Sequence, residues 1–296
     1  MIKIAQRNKA ELALMGVTII WGTTFVTVKN ALADVSTFLF LAMRFSLAAL
    51  VLLMLYRKGV QWKKSGPAVF AGCLLFAAYA FQTVGLETTT PSKSAFLTGL
   101  CIPMVPLASS LIYRSRPRAF ELAGIAIASA GMALMTLPAG RFDVSKGDFL
   151  SLLCAVAFAV HIVVVGHYSN LIGFETLVVI QIATAALLGL GTFRFVEPVR
   201  FAPTAAVAIA VVVTGLLATA LAFGTQAWAQ QHTSSTRTAL IFALEPVAAF
   251  VTSYLLYGET LTTRGLLGAG LILMGILAVE LRKSDIETRI RLEPSN

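Results

Sequence analysis

Charge is scarce in this chain. Asp, Glu, Lys and Arg together make up 12% of its 296 residues, about half the share found in a soluble domain. A chain of this length cannot present a water-exposed surface with so few ionised side chains, which excludes a soluble enzyme and a disordered tail. Cysteine is equally sparse: Cys73, Cys101 and Cys154 all lie in apolar stretches, and an odd three argues against a disulfide framework. No run of five like charges occurs, so the net charge of +9 is not gathered into a nucleic-acid-binding tract. There is no G-x-x-x-x-G-K-[ST] phosphate loop, no H-E-x-x-H and no G-x-S-x-G elbow. Acidic residues within apolar stretches are too few to pair around a metal. The expectation is a chain that is not an enzyme, needs no cofactor and has no nucleic-acid partner.

What is abundant is apolar. Hydrophobic residues reach 57% and the mean hydropathy is +0.83, so the expected surroundings are a lipid bilayer. A membrane helix needs about 20 mostly apolar residues. Ten segments qualify, at about 10–29, 36–56, 67–86, 92–113, 119–137, 148–167, 173–193, 204–228, 235–257 and 263–281. Pro and Gly mark several boundaries, as at Gly66-Pro67, Pro117, Pro138-Ala139-Gly140 and Pro203. The first apolar stretch is too long for a cleavable signal core and lacks a small-x-small site. Cytoplasmic loops of membrane proteins are enriched in Lys and Arg. With both termini cytoplasmic, fifteen of these residues fall inside and seven outside, leaving Arg44 within a span.

The chain also repeats itself. At a constant shift of 144, Gln82 pairs with Gln226, Lys93 with Arg237, Ala95 with Ala239 and Tyr113 with Tyr257. Leu122, Gly124 and Gly131 continue the match onto Leu266, Gly268 and Gly275. At a shift of 137 the start of the chain meets its middle more weakly, Glu11 with Asp148, Thr24 with His161 and Arg44 with Gln181. Five spans per copy is an odd number, so the second copy enters from the opposite side, as in many secondary transporters whose site lies at the repeat interface. The fold expected is therefore an all-α integral membrane protein of ten transmembrane helices arranged as two inverted five-helix repeats. Its parts are a first repeat at 1–137, an extracytoplasmic linker at 138–147, a second repeat at 148–281 and a cytoplasmic tail at 282–296.

Particular residues carry a family likeness over 10–281. They are Trp21-Gly22 with Lys29, Ala42-Met43-Arg44-Phe45, and the Thr89 to Pro106 stretch with its counterpart from Ser235 to Glu259, which contains Ala243-Leu244-Glu245-Pro246. In these the chain resembles the drug/metabolite transporter superfamily, built from EamA-type five-helix repeats. Within it, the chain resembles the YddG-like exporters of aromatic and other neutral amino acids. The copies depart from each other where Cys101 faces Glu245 and where Arg114-Ser115 faces Gly258-Glu259. The resemblance implies a multi-pass inner-membrane secondary transporter that exports small metabolites, amino acids above all, by alternating access. A passive channel for small solutes, or a carrier of sugars, drugs or nucleotide-sugars, is the alternative.

Polar groups at membrane depth are costly and tend to face cavities or partners. Arg44 has two readings, a clamp for a substrate carboxylate or a structural cation bonded to carbonyls of another helix. Glu245, ahead of the helix-breaking Pro246, either couples transport to protons or hydrogen-bonds a neighbouring helix; Pro103 and Pro106 make the corresponding break in the fourth span. His161 is a packing residue or part of a polar cavity wall. The expected substrate site is a mainly apolar cavity for zwitterions, with Thr24, Gln82, His161 and Gln226 as neutral dipoles and Trp21, Tyr79 and Phe223 as walls. Spans 1–4 and 6–9 are expected around the path. Spans 5 and 10, with Gly124, Gly131, Gly268 and Gly275 on one face each, are expected to stay peripheral and to pack closely.

Overall fold

In lipid, every backbone N–H and C=O needs a partner within the chain, and a helix supplies one for each residue of an apolar run. The computed structural model of the protein, which describes residues 2–89, 91–114, 117–137, 145–257 and 262–292, is helical almost throughout. Helices α1 (Ile2–Ala31), α2 (Thr37–Tyr56) and α3 (Gly66–Thr88) are followed by the pair α4 (Pro91–Gly99) and α5 (Cys101–Tyr113), then by α6 (Ala119–Thr136). After them come α7 (Lys146–Ile172), α8 (Phe174–Thr192), α9 (Ala205–Gly215), a π-helical turn (Leu216–Leu221), α10 (Ala222–Ala229), α11 (Ser235–Phe242), α12 (Glu245–Tyr257) and α13 (Thr263–Leu292). Among the described residues the only extended pairing is an isolated bridge between Val35 and Phe201.

Local chemistry sets the ends. Ser145 Oγ accepts from Asp148 N (3.1 Å) while Asp148 Oδ2 accepts from Ser145 N (2.9 Å), the reciprocal box that opens α7. Gly173, at φ 80°, makes the left-handed step that separates α7 from α8. Eight helical stretches among the described residues are long and apolar enough to cross a membrane, and Thr263–Val279 is a shorter apolar one. The expected span at 235–257 is instead two helices, broken between Phe242 and Glu245. The linker expected at 138–147 lies outside the described residues up to 144, and its last residues already belong to the start of α7. The expected boundary between a last span and a tail at 281 is not a helix end, because α13 continues to Leu292.

Helices from the two halves interlock. Helix α7 packs on α3, α4 and α5, while α1 packs on α9 through α12. Helices α6 and α13 lie against each other with glycines in register: a Cβ on Gly131 would sit 2.6 Å from the Gly268 carbonyl, and one on Gly275 2.5 Å from that of Gly124. Small residues are what let two backbones approach this closely.

Polar groups concentrate at the two ends of the bundle. At the end where α1 begins, Arg237 bridges Glu11 (3.4 Å) and Glu121 (3.6 Å), and Thr233 Oγ1 donates to Glu11 (2.9 Å). At the other end, Thr89 Oγ1 donates to Asp148, Thr37 Oγ1 to Glu87 (2.8 Å) and Thr204 Oγ1 to Asp34 (2.7 Å). From Glu11 to the end of α1 is about 30 Å of helix, the thickness of a bilayer's hydrocarbon core.

Candidate functional site

Between these ends lies a central cavity of about 390 Å³, within the range of small-molecule sites. Trp21, Thr24, Arg44, Tyr79, Gln82, His161, Phe223, Gln226 and Glu245 all line it, brought together from α1, α2, α3, α7, α10 and α12. On α1 its lining runs from Trp21 to Val28 and on α3 from Tyr79 to Leu86, so it extends from mid-height away from the Glu11–Arg237–Glu121 cluster.

Its walls are aromatic. The Trp21 ring lies 5.4 Å from Phe223 and 4.9 Å from Phe242, and Tyr79 is ringed by Phe45, Phe158 and Phe223 at 5.4, 5.5 and 6.2 Å. Edge-on and tilted packing of this kind fixes ring positions, so the apolar surface is preformed.

Arg44 is bonded to another helix and also lines the cavity. Its Nε donates to Thr219 Oγ1 (2.7 Å), and Nη2 donates to Tyr79 OH (3.1 Å) and to the Ala218 carbonyl (3.3 Å). The same carbonyl accepts from Trp21 Nε1 at 2.9 Å. Ala218 and Thr219 belong to the π-helical turn, where the wider winding turns backbone and side-chain acceptors toward neighbouring helices, a feature frequent at functional sites. The guanidinium also stands 4.3 Å from the centre of the Tyr79 ring, a cation–π contact. Arg44 thus pins the turn, and it faces the cavity as well.

The neutral dipoles differ in what they have left to offer. His161 Nε2 is paired with Gln181 Oε1 (2.9 Å), and Gln226 Nε2 donates to Gln230 Oε1 (3.1 Å). His161 Nδ1 is buried without a partner among the described residues, and the side chain is 0% exposed. Thr24 Oγ1 donates to the Trp21 carbonyl (2.9 Å), as Thr83, Thr136 and Thr252 do to carbonyls four residues back. A hydroxyl whose proton is spent on its own helix presents only lone pairs to the cavity. Among the described residues Gln82 and Glu245 have no side-chain hydrogen bond or ion pair, and both face the cavity.

Two expectations are corrected. The fifth span is not peripheral throughout, since Met132, Met135 and Thr136 at the end of α6 line the cavity, whereas none of the described residues of α13 does. The break in the fourth span falls at Leu100, ahead of Pro103, and Pro106 sits inside α5. Pro103 lies in the first turn of α5, where a missing N–H costs nothing. Residues not singled out from the sequence also line the cavity, among them Thr27, Thr83, Phe158, Phe242 and Thr252. Thr83 lies four residues after Tyr79 and Thr252 seven after Glu245, so helical spacing from named residues was the available signal.

The site is thus a cavity within a helical bundle whose helices are long and apolar enough to cross a membrane. The model of the EamA-like transporter family matches residues 8–137 and again 145–281, and the chain belongs to that family. It is a multi-pass membrane transporter, not an enzyme. It is 34% identical to an uncharacterised transporter of Archaeoglobus fulgidus over 94% of this chain and 87% of the relative. It is 24% identical to the uncharacterised inner membrane transporter YedA of Escherichia coli K12, over 92% and 90%. A solved crystal structure shares the fold, with a TM-score of 0.80 at 20% identity over 95% of this chain and 99% of the other.

Proposed function

We propose that the protein is a secondary transporter of the inner membrane that exports amino acids, aromatic ones included, by alternating access. The observation that carries this reading is the cavity: mostly apolar and aromatic, yet holding an amide and a carboxyl, Gln82 and Glu245, that have no side-chain partner among the described residues. Groups left unpaired in a membrane interior are kept for a cargo or an ion. The likeness to the YddG-like exporters points to the same cargo class.

We also read the chain as ten spans in two inverted repeats with both termini cytoplasmic. The family model matches twice, and the helix breaks at Leu100 and Leu244 stand 144 residues apart. The Thr233–Glu11 and Thr89–Asp148 bonds, at opposite ends of the bundle, join residues related by the two sequence shifts. In this orientation the Glu11–Arg237–Glu121 cluster seals the cytoplasmic end, and the cavity runs toward the outside. Proteoliposomes loaded with unlabelled phenylalanine should take up labelled phenylalanine by counterflow, with saturation and with or without a proton gradient as coupling dictates. Flux that is linear in concentration and shows no counterflow favours a passive channel and defeats the proposal.

A further inference from the structure

A cationic and an acidic side chain, Arg44 and Glu245, face the central cavity, and among the described residues neither has an ion-pair partner. Among the described residues no carboxylate lies within ion-pair distance of Arg44, whose hydrogen bonds all go to neutral oxygens. Those bonds occupy Nε and Nη2, and among the described residues the two N–H groups of Nη1 make none. Glu245, at the start of α12, has no side-chain partner among them and looks into the same space. Arg44 and Glu245 line one cavity, so the two poles belong to one compartment.

Leaving charges uncompensated in a low-dielectric interior is costly, and the dipoles that could have solvated a cargo's head group are largely engaged elsewhere. His161 is held by Gln181 and Gln226 by Gln230. This favours the reading of Arg44 as a carboxylate clamp over recognition by the neutral dipoles alone.

We propose that the cavity recognises its cargo by both charges of a zwitterion, Arg44 taking the carboxylate through Nη1 and Glu245 taking the ammonium. The guanidinium is suited to a carboxylate. The threonine hydroxyls that bond back to their own helices add acceptors for ammonium N–H groups, and Trp21, Phe223 and Phe242 pack the side chain. An amine or an acid alone satisfies one pole and leaves the other bare. This inference rests on the amino-acid reading of the site and narrows it to molecules carrying both charges.

The test is equilibrium binding to the purified full-length protein in detergent micelles, with phenylalanine, phenethylamine and 3-phenylpropionate as probes of equal apolar bulk. Wild type should bind phenylalanine at least about tenfold more tightly than either mono-ion, the size of effect expected for losing one charged hydrogen bond. Glu245→Gln should weaken phenylalanine about tenfold and leave 3-phenylpropionate unchanged, and Glu245→Asp should restore much of the loss. Equal binding of all three by wild type, or an unchanged preference in Glu245→Gln, overturns this inference while leaving amino-acid export standing. Binding of none of the three overturns the export reading and this inference with it. Should Glu245→Gln fail to fold, the wild-type comparison of the three probes decides alone.

Discussion

Replacing Gly131 by Ala tests how α6 and α13 are held together. The added Cβ would lie 2.6 Å from the Gly268 carbonyl, 2.8 Å from the Ile272 nitrogen and 2.8 Å from Leu271 Cβ. Two of these neighbours are backbone, so no rotamer change relieves the contact. The helices must separate by most of the difference between 2.6 Å and the 3.4 Å of an ordinary contact, and the whole glycine-lined seam loosens with them. Overpacking of this kind costs about 1–3 kcal/mol. Gly270 is the matched control, because it lies on α13 with nothing within 4 Å of an added Cβ. Both substitutions gain the same helical preference, about 0.5–1 kcal/mol for Ala over Gly. That common gain cancels in the difference, so Gly131→Ala should be less stable than Gly270→Ala by about 1–3 kcal/mol. Thermal unfolding of both variants in the same detergent measures the gap. The close-packing argument is refuted if Gly131→Ala melts at or above Gly270→Ala. Because Gly131 does not line the cavity, Gly131→Leu should lower membrane levels without changing which substrates are carried.

The Trp21 indole and Arg44 share the Ala218 carbonyl, so Trp21→Phe should cost only about 1 kcal/mol; combined with Arg44→Met it should cost more than the sum of the single changes, as a double-mutant cycle by chemical unfolding will report. Arg237→Met removes the cation that Glu11 and Glu121 share, while Thr233 still donates to Glu11 and the Arg118 N–H to Glu121, and should destabilise the fold by about 1–3 kcal/mol; a melting temperature equal to wild type would contradict the ion-pair reading of that end. In cell efflux assays at matched membrane levels, Gln82→Ala should slow phenylalanine export more than His161→Ala or Gln226→Ala, whose side chains are engaged by Gln181 and Gln230. The reverse order would show that those pairs open to receive cargo. Cysteines introduced into 138–147 should react with an impermeant reagent from outside intact cells, and labelling confined to inverted vesicles reverses the orientation.

Much of the site was legible because polar residues within apolar runs are few, and each must be accounted for. Arg44, Glu245, His161 and Gln82 stood out on that ground alone, and all face one cavity. What the sequence hid is how each is engaged. That His161 spends itself on Gln181, twenty residues further along on the next helix, depends on how α7 and α8 pack, which no spacing reveals. The π-helical turn was equally hidden, because Leu216–Leu221 reads as ordinary apolar helix, and the donors that converge on its Ala218 carbonyl, Trp21 and Arg44, come from other helices. The glycine seam of α6 and α13 was readable from its seven-residue spacing. That the same helix α6 turns Met132 and Met135 toward the cavity was not, since one helix face can serve two neighbours.

The crossing of helices between the halves bears on how the protein is made. Gly22 of α1 is shaped for Ala248, Ala249 and the Glu245 carbonyl of α12, all within 2.8 Å of where its Cβ would be. A ribosome delivers α1 first and α12 nearly last, so during synthesis that groove stands open to lipid while most of the chain is laid down. The cavity cannot form half by half: Arg237 at the end of the bundle, Phe242 in the aromatic wall and Glu245 all follow Ser235. A truncated chain that lacks α11 and α12 is therefore not a weaker transporter but an unfinished bundle, with the groove at Gly22 left without the helix it is shaped for.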